Sequence, residues 1–173
     1  LGGIEMKIII VKDYNRISKL AAELLVKEIK KKPNLVLGFA TGKTPIGLYK
    51  ELVSAYRQKK IDFSKIKTFN LDEYYPISKK DKKSYFYYMN KNLFDKINVK
   101  KENINLLNGE ANDWKKECLG YEKKIKENPI DIQILGVGIN GHIGFNEPGS
   151  DLNSKTRLIE LTPETKKINK MNN

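Results

Sequence analysis

The sequence predicts an α/β fold built on a mostly parallel sheet. Short apolar runs alternate with amphipathic stretches along the whole chain, which is the alternation that βα units produce. Three loops, "TGKTP", "DEYY" and "GINGHIGFNEPG", each follow one of the apolar runs, where an open parallel sheet gathers its ligand-binding loops. With 173 residues, 39% hydrophobic, and no repeat, linker or low-complexity segment, a single domain over residues 6–173 is expected.

The strand candidates are Lys7 to Val11, Leu35 to Phe39, Lys67 to Leu71, Ile132 to Val137 and Leu158 to Leu161. Between them, Ile17, Leu20, Ala21, Leu24 and Leu25 share one helical face; Tyr49, Leu52, Val53 and Tyr56 share another; Phe86, Met89, Leu93 and Ile97 share a third. Each is an ordinary core stripe. In "DWKKECLGYEKKIKE" the chain's one cysteine, Cys118, lines up with Trp114, Tyr121 and Ile125, so it reads as a structural thiol and excludes a disulfide framework. A last helix is expected after Thr162-Pro163, with Thr as N-cap and Pro at the first helical position. Residues 1–5 read as a non-native leader before the natural-looking start at Met6, and the chain is expected to be incomplete at its C-terminus.

The formal charge is +12, yet lysine supplies almost all of it, and arginine occurs only at Arg16, Arg57 and Arg157. Base readout and bidentate phosphate contacts favour arginine, and the lysines are scattered in pairs and triplets, so a solvated surface that draws in small anions is expected, with no nucleic-acid partner. No apolar run approaches the roughly 18 residues of a membrane span. The chain therefore reads as soluble and cytoplasmic.

In "LGFATGKTP" the letters GKT suggest a P-loop, but Gly38 and Gly42 are separated by three residues where that loop needs four. What remains suits a single phosphate monoester: Thr44 as hydroxyl N-cap, Pro45 pre-setting φ, first-turn amides free, Gly42 allowing close approach, Thr41 and Thr44 adding hydroxyls and Lys43 a point charge. In "TFNLDEYY", Asp72 and Glu73 are adjacent at a strand end, so their side chains diverge and at most one enters the crevice, where it can shuttle a proton. The third loop carries Asn140, the only histidine, His142, and Glu147 among four glycines, with Gly136 just before them. Its G-V-G-I-N-G does not fit a dinucleotide fingerprint, which belongs at the first strand with an acidic residue about 20 positions on. A carboxylate five residues from His142 can instead hold the imidazole in one tautomer as an oriented base. One histidine without clustered acids or thiols falls short of a metal-ligand set.

"FATGKTP", "FNLDEYY" and "GVGINGHIGFNEPGS", with "SYFYYMNKNLFDKI" and "ENINLLNGEA" between them, resemble the glucosamine-6-phosphate deaminase family from about residue 6 to residue 169. The resemblance implies a doubly wound, Rossmann-like fold of the sugar-phosphate isomerase type, with helices on both faces of the sheet. It implies conversion of glucosamine 6-phosphate and water to fructose 6-phosphate and ammonia in amino-sugar catabolism, with no cofactor and no metal. By resemblance, Asp72 matches the enolisation base and His142 the ring-opening base, assisted by Glu147 and Asn140, while Thr41, Gly42, Lys43 and Thr44 match the segment that holds the substrate and its phosphate. Three departures stand out. Asn140 occupies a position that is often Asp, Lys43 stands where Gly-Gly is usual, and Met171 lies near the position of a phosphate-binding Arg, with Lys170 beside it. The family's C-terminal third is absent, so this chain's own activity is a separate question. Phosphogluconate lactonases look similar around Gly141-His142 but typically lack the Phe-Asn-Glu-Pro that follows, and an inactive sugar-phosphate-binding fragment is a further alternative. The resemblance leaves glucosamine versus galactosamine phosphate, allosteric control, and monomer versus homo-oligomer open.

Overall fold

A computed structural model describes residues 6–162. Its first helix, α1 (Tyr14–Lys31), starts where the Asp13 side chain accepts the Arg16 amide at 2.7 Å, and it ends on Lys30 and Lys31, whose charge suits the carbonyl end of a helix dipole. Ser18, Ala22, Leu25 and Ile29 form its buried stripe, which corrects the expected face: of Ile17, Leu20, Ala21, Leu24 and Leu25 only Leu25 is buried, and Ile17 and Leu24 are exposed. There follow β1 (Val36–Phe39), α2 (Ile46–Arg57), β2 (Lys67–Asn70), α3 (Tyr85–Asn92), two short 3₁₀ turns (Phe94–Lys96 and Lys101–Asn103), β3 (Ile104–Asn105), α4 (Trp114–Glu127) and β4 (Ile132–Gln133).

The four strands are parallel and run in the order β3-β2-β1-β4. The chain steps outward from β1 to β3, then returns to the other side of β1 for β4. That reversal makes the gap between β1 and β4 the topological switch point, where the loops after the two strands part and leave a crevice. Paired residues share a face: Phe39 pairs with Asn70, and Gly38 with Phe69. Leu37 and Phe39 therefore join the main core with α1, α2 and α3, in which Tyr49, Leu52, Phe63, Ile66, Met89 and Leu93 are fully buried. Phe69 lies outside that cluster and meets Tyr121 of α4 edge-on, with ring centroids 5.7 Å apart. Helices thus cover both faces, as a doubly wound sheet requires. The Tyr121 hydroxyl also accepts the Asn70 amide at 3.0 Å and donates towards the carbonyls of Asn70 and Asn105, tying α4 to β2 and β3.

Several sequence expectations need correction. Residues 7–11 form no strand, and Ile8 and Ile10 are exposed, because no described strand lies beside them to complete a ladder. Residues 158–161 likewise lack a strand partner. The fourth predicted strand shrinks to Ile132–Gln133: β1 offers it only Leu37 and Gly38, and after the Ile134 amide meets the Gly38 carbonyl at 2.9 Å the chain turns away. The third helical stripe is split, since α3 stops at Asn92 and a 3₁₀ turn keeps Leu93 and Phe94 buried. The edge strand β3 escaped sequence reading because its two residues carry no periodic signal. Cys118 is half-buried rather than core. The helix expected after Thr162 lies outside the described residues, as do residues 1–5, Lys170 and Met171.

Candidate functional site

The loop after β1 bends at Gly42, whose φ is +94°, a left-handed conformation that favours glycine. Thr44 does not act as the expected N-cap: α2 begins at Ile46, Pro45 occupies the cap position without a side-chain cap bond, and the first-turn amide of Gly47 goes to the Tyr14 hydroxyl instead. Pro45 already adopts helical angles, which moves the boundary one residue past the threonine. Gly42, Lys43 and Thr44 are exposed, and Thr41 is half-buried with its hydroxyl bonded to that of Tyr85.

Asp72 and Glu73, at the end of β2, do diverge. Glu73 turns to α3, where its carboxylate accepts the amides of Tyr85 and Phe86, both at 2.8 Å, and of Tyr74 at 2.9 Å. Ser84 accepts the Tyr87 amide at 3.0 Å, so all three first-turn donors of α3 are satisfied. Asp72 faces the third loop instead. Burial pushes its carboxyl up to about 7, the neighbouring Glu73 charge adds to the rise, and a hydrogen bond from the Phe145 backbone opposes it.

The loop after β4 closes on itself through bonds between Gly138 N and His142 O (2.8 Å) and between Gly141 N and Gly138 O (2.9 Å). Gly144, at φ +59°, lies so near the β2 end that a Cβ there would stand 2.5 Å from Leu71 Cδ2 and 3.1 Å from Asp72 Oδ2. A Cβ on Gly138 would sit 2.1 Å from the His142 ring, so that glycine leaves the imidazole its place. Glu147 Oε2 accepts from Asn140 Nδ2 at 2.9 Å, which aims Asn140 Oδ1 at His142 Nδ1, 2.6 Å away. With an oxygen there, Nδ1 carries the proton and Nε2 is left with a lone pair.

An aromatic group that sequence reading missed joins the three loops. Tyr85, bonded to Thr41, also bonds the Tyr74 hydroxyl at 3.2 Å, and the Phe145 ring packs on Tyr74 and Tyr85 with centroids 5.0 and 5.8 Å away. Its only sequence signal was the tyrosine density of "DEYY" and "SYFYY" beside the Phe of "GFNEP". Asp72, Glu73, Gly141 and Glu147 line an open cleft of about 800 Å³, which Gln133, Lys155 and Arg157 also border. Thr41, Gly42, Lys43, Thr44, Asn140 and His142 lie outside that lining; Thr41 reaches the same rim through Tyr85, and His142 through Gly144 two residues on.

A sequence profile described as glucosamine-6-phosphate isomerases/6-phosphogluconolactonase matches residues 14–168. The chain belongs to that family. It is 55% identical over 161 residues to a glucosamine-6-phosphate deaminase of Clostridium novyi (strain NT), covering 92% of this chain and 67% of that relative. A deaminase of Thermoanaerobacter sp. (strain X514) is 52% identical, with 95% of this chain and 66% of the relative covered. The chain thus spans about two thirds of the length of these curated relatives. Among solved structures, a monomeric glucosamine-6-phosphate deaminase superposes with a TM-score of 0.92 at 41% identity, over 95% of this chain and 68% of that one. A 6-phosphogluconolactonase from Thermotoga maritima shares the fold at TM-score 0.66 and 23% identity, over 79% of this chain and 62% of that one.

Proposed function

We propose that the site formed by these loops performs the isomerisation and deamination of glucosamine 6-phosphate to fructose 6-phosphate and ammonia. The observation that carries this reading is the place of Asp72, a half-buried carboxyl that lines the cleft against the Gly144 turn of the histidine loop. Burial there raises its proton affinity, which suits a base that must take a proton and give it back. In the open-chain sugar, Asp72 takes the proton from C2 and returns it to C1, which leaves an imine at C2. Water hydrolyses that imine, releasing ammonia and the ketose. His142 Nε2 assists the preceding ring opening by moving a proton at the ring oxygen, its tautomer held through Asn140 by Glu147. An asparagine in that relay keeps the orientation without an ion pair to the imidazole. The Thr41–Thr44 loop holds the phosphate with backbone amides, hydroxyls and the Lys43 charge.

The test is release of ammonia and fructose 6-phosphate from glucosamine 6-phosphate. Asp72→Asn should lower the rate by about 10²-fold or more. Full activity in that variant would remove Asp72 from the role, and turnover of a phosphogluconolactone without ammonia would assign lactonase chemistry instead.

A further inference from the structure

Three tyrosine hydroxyls from three different helices take up carbonyls along the loop after β1. Tyr14 of α1 donates to Thr44 O at 2.9 Å and leans on Lys43 O at 3.2 Å, while accepting the Gly47 amide at 2.8 Å. Tyr88 of α3 donates to Gly42 O at 2.6 Å, and Tyr49 of α2 donates to Ala40 O. The Tyr14 contact depends on close approach of α1 to α2. A Cβ on Gly47 would lie 2.2 Å from Ser18 Oγ and 3.0 Å from the Tyr14 hydroxyl, so only glycine admits it. In two of these peptide groups the opposite end is a free N–H: the Lys43 amide behind the Gly42 carbonyl and the Thr44 amide behind the Lys43 carbonyl donate to no protein acceptor among the described residues, whereas the Thr44 carbonyl is joined to Pro45, which has no N–H.

A flexible loop can turn either pole of a peptide group towards a ligand, and a carbonyl facing a phosphate oxygen would repel it. Tying the carbonyls to hydroxyls on rigid helices removes that alternative before the ligand arrives. We propose that Tyr14 and Tyr88 are positioning residues that hold the Lys43 and Gly42 carbonyls back, so that the loop presents the Thr44 and Lys43 amides to the substrate's phosphate without either tyrosine touching the substrate. The inference deepens the deaminase reading and rests on it.

The experiment titrates inorganic phosphate and, separately, glucosamine 6-phosphate into the ¹⁵N-labelled chain, following the Gly42, Lys43 and Thr44 amide resonances. Wild type is compared with Tyr14→Phe, Tyr88→Phe and the control Tyr56→Phe, whose ring packs on Phe63 far from this loop in the chain. Both test variants keep the ring and lose one hydroxyl. Each should weaken binding of both probes about tenfold, with melting temperature and amide dispersion kept, and in a turnover assay KM should rise while kcat holds. The control should bind as wild type does. Wild-type-like binding in both test variants, or a loss that only tracks unfolding, would overturn the inference and leave the deaminase reading intact. Failure of wild type to bind glucosamine 6-phosphate would sink the two together.

Discussion

Glu73 spends both carboxylate oxygens on backbone amides of the Tyr74 turn and the α3 N-terminus, whereas Asp72 receives one amide and faces the cleft. The two acids therefore separate into a helix cap and a carboxyl that holds its proton more tightly than usual. With Asp72 raised from 3.8 to about 7, its base form accumulates as pH rises through neutrality, and deaminase activity measured against pH should rise on that limb. The stability effect has the opposite sign: between about 4 and 7 the native state keeps a proton that the unfolded chain has released, so stability declines as pH rises through the window. In Asp72→Asn, denaturant unfolding across that range should lose this slope. Gly144→Ala tests the same contact sterically. Its Cβ would meet Leu71 and the Asp72 carboxyl at a positive φ, so both melting temperature and turnover should fall.

At the scale of elements, the helices are stabilised at their ends by side chains that the sequence displays. Asp13 caps α1, Asp113 accepts the Lys116 amide at 3.1 Å at the start of α4, and Ser84 caps α3. Asp113→Ala should cost about 1 kcal/mol in urea unfolding, as such caps ordinarily do. Tyr121→Phe should cost about 1–3 kcal/mol by the same measurement, because it orphans the buried Asn70 amide and removes the bond between α4 and two strands. The α2 stripe was legible because its members lie within a few residues. The α1 stripe was expected on the wrong side, at Ile17 and Leu24, and the expected Thr44 cap did not form, because packing and loop geometry decide both. Strands were less legible: residues 7–11 look like a strand by composition but lack a neighbour, and Ile104–Asn105 becomes one only because Thr68 and Phe69 lie beside it. A ladder is a property of two segments, and periodicity in one of them reports burial, not pairing.

Across the whole molecule, the apolar side chains are unevenly covered. Met6, Ile8 and Ile10 near the start, and Val137 and Ile139 beyond β4, are all more than half exposed, with Ile139 at 97%. Exposed apolar surface of this kind binds hydrophobic dyes. The folded chain should therefore enhance anilinonaphthalene sulfonate fluorescence under native conditions, and Val137→Lys with Ile139→Lys should reduce that signal without lowering the melting temperature.

By itself the sequence determined the α/β class, the buried face of α2 and the three candidate loops at the strand ends, since each is written in local spacing and residue type. Asp72, Asn140, His142 and Glu147 could be named as candidates for the same reason. Tertiary structure alone decided that Glu73 caps a helix while Asp72 is left to the cleft, that Glu147 reaches His142 through Asn140, and that Thr41 is joined to Phe145 by Tyr85 and Tyr74. Those outcomes depend on amides, hydroxyls and rings brought together from distant parts of the chain, and on burial that sets how tightly a carboxyl holds its proton.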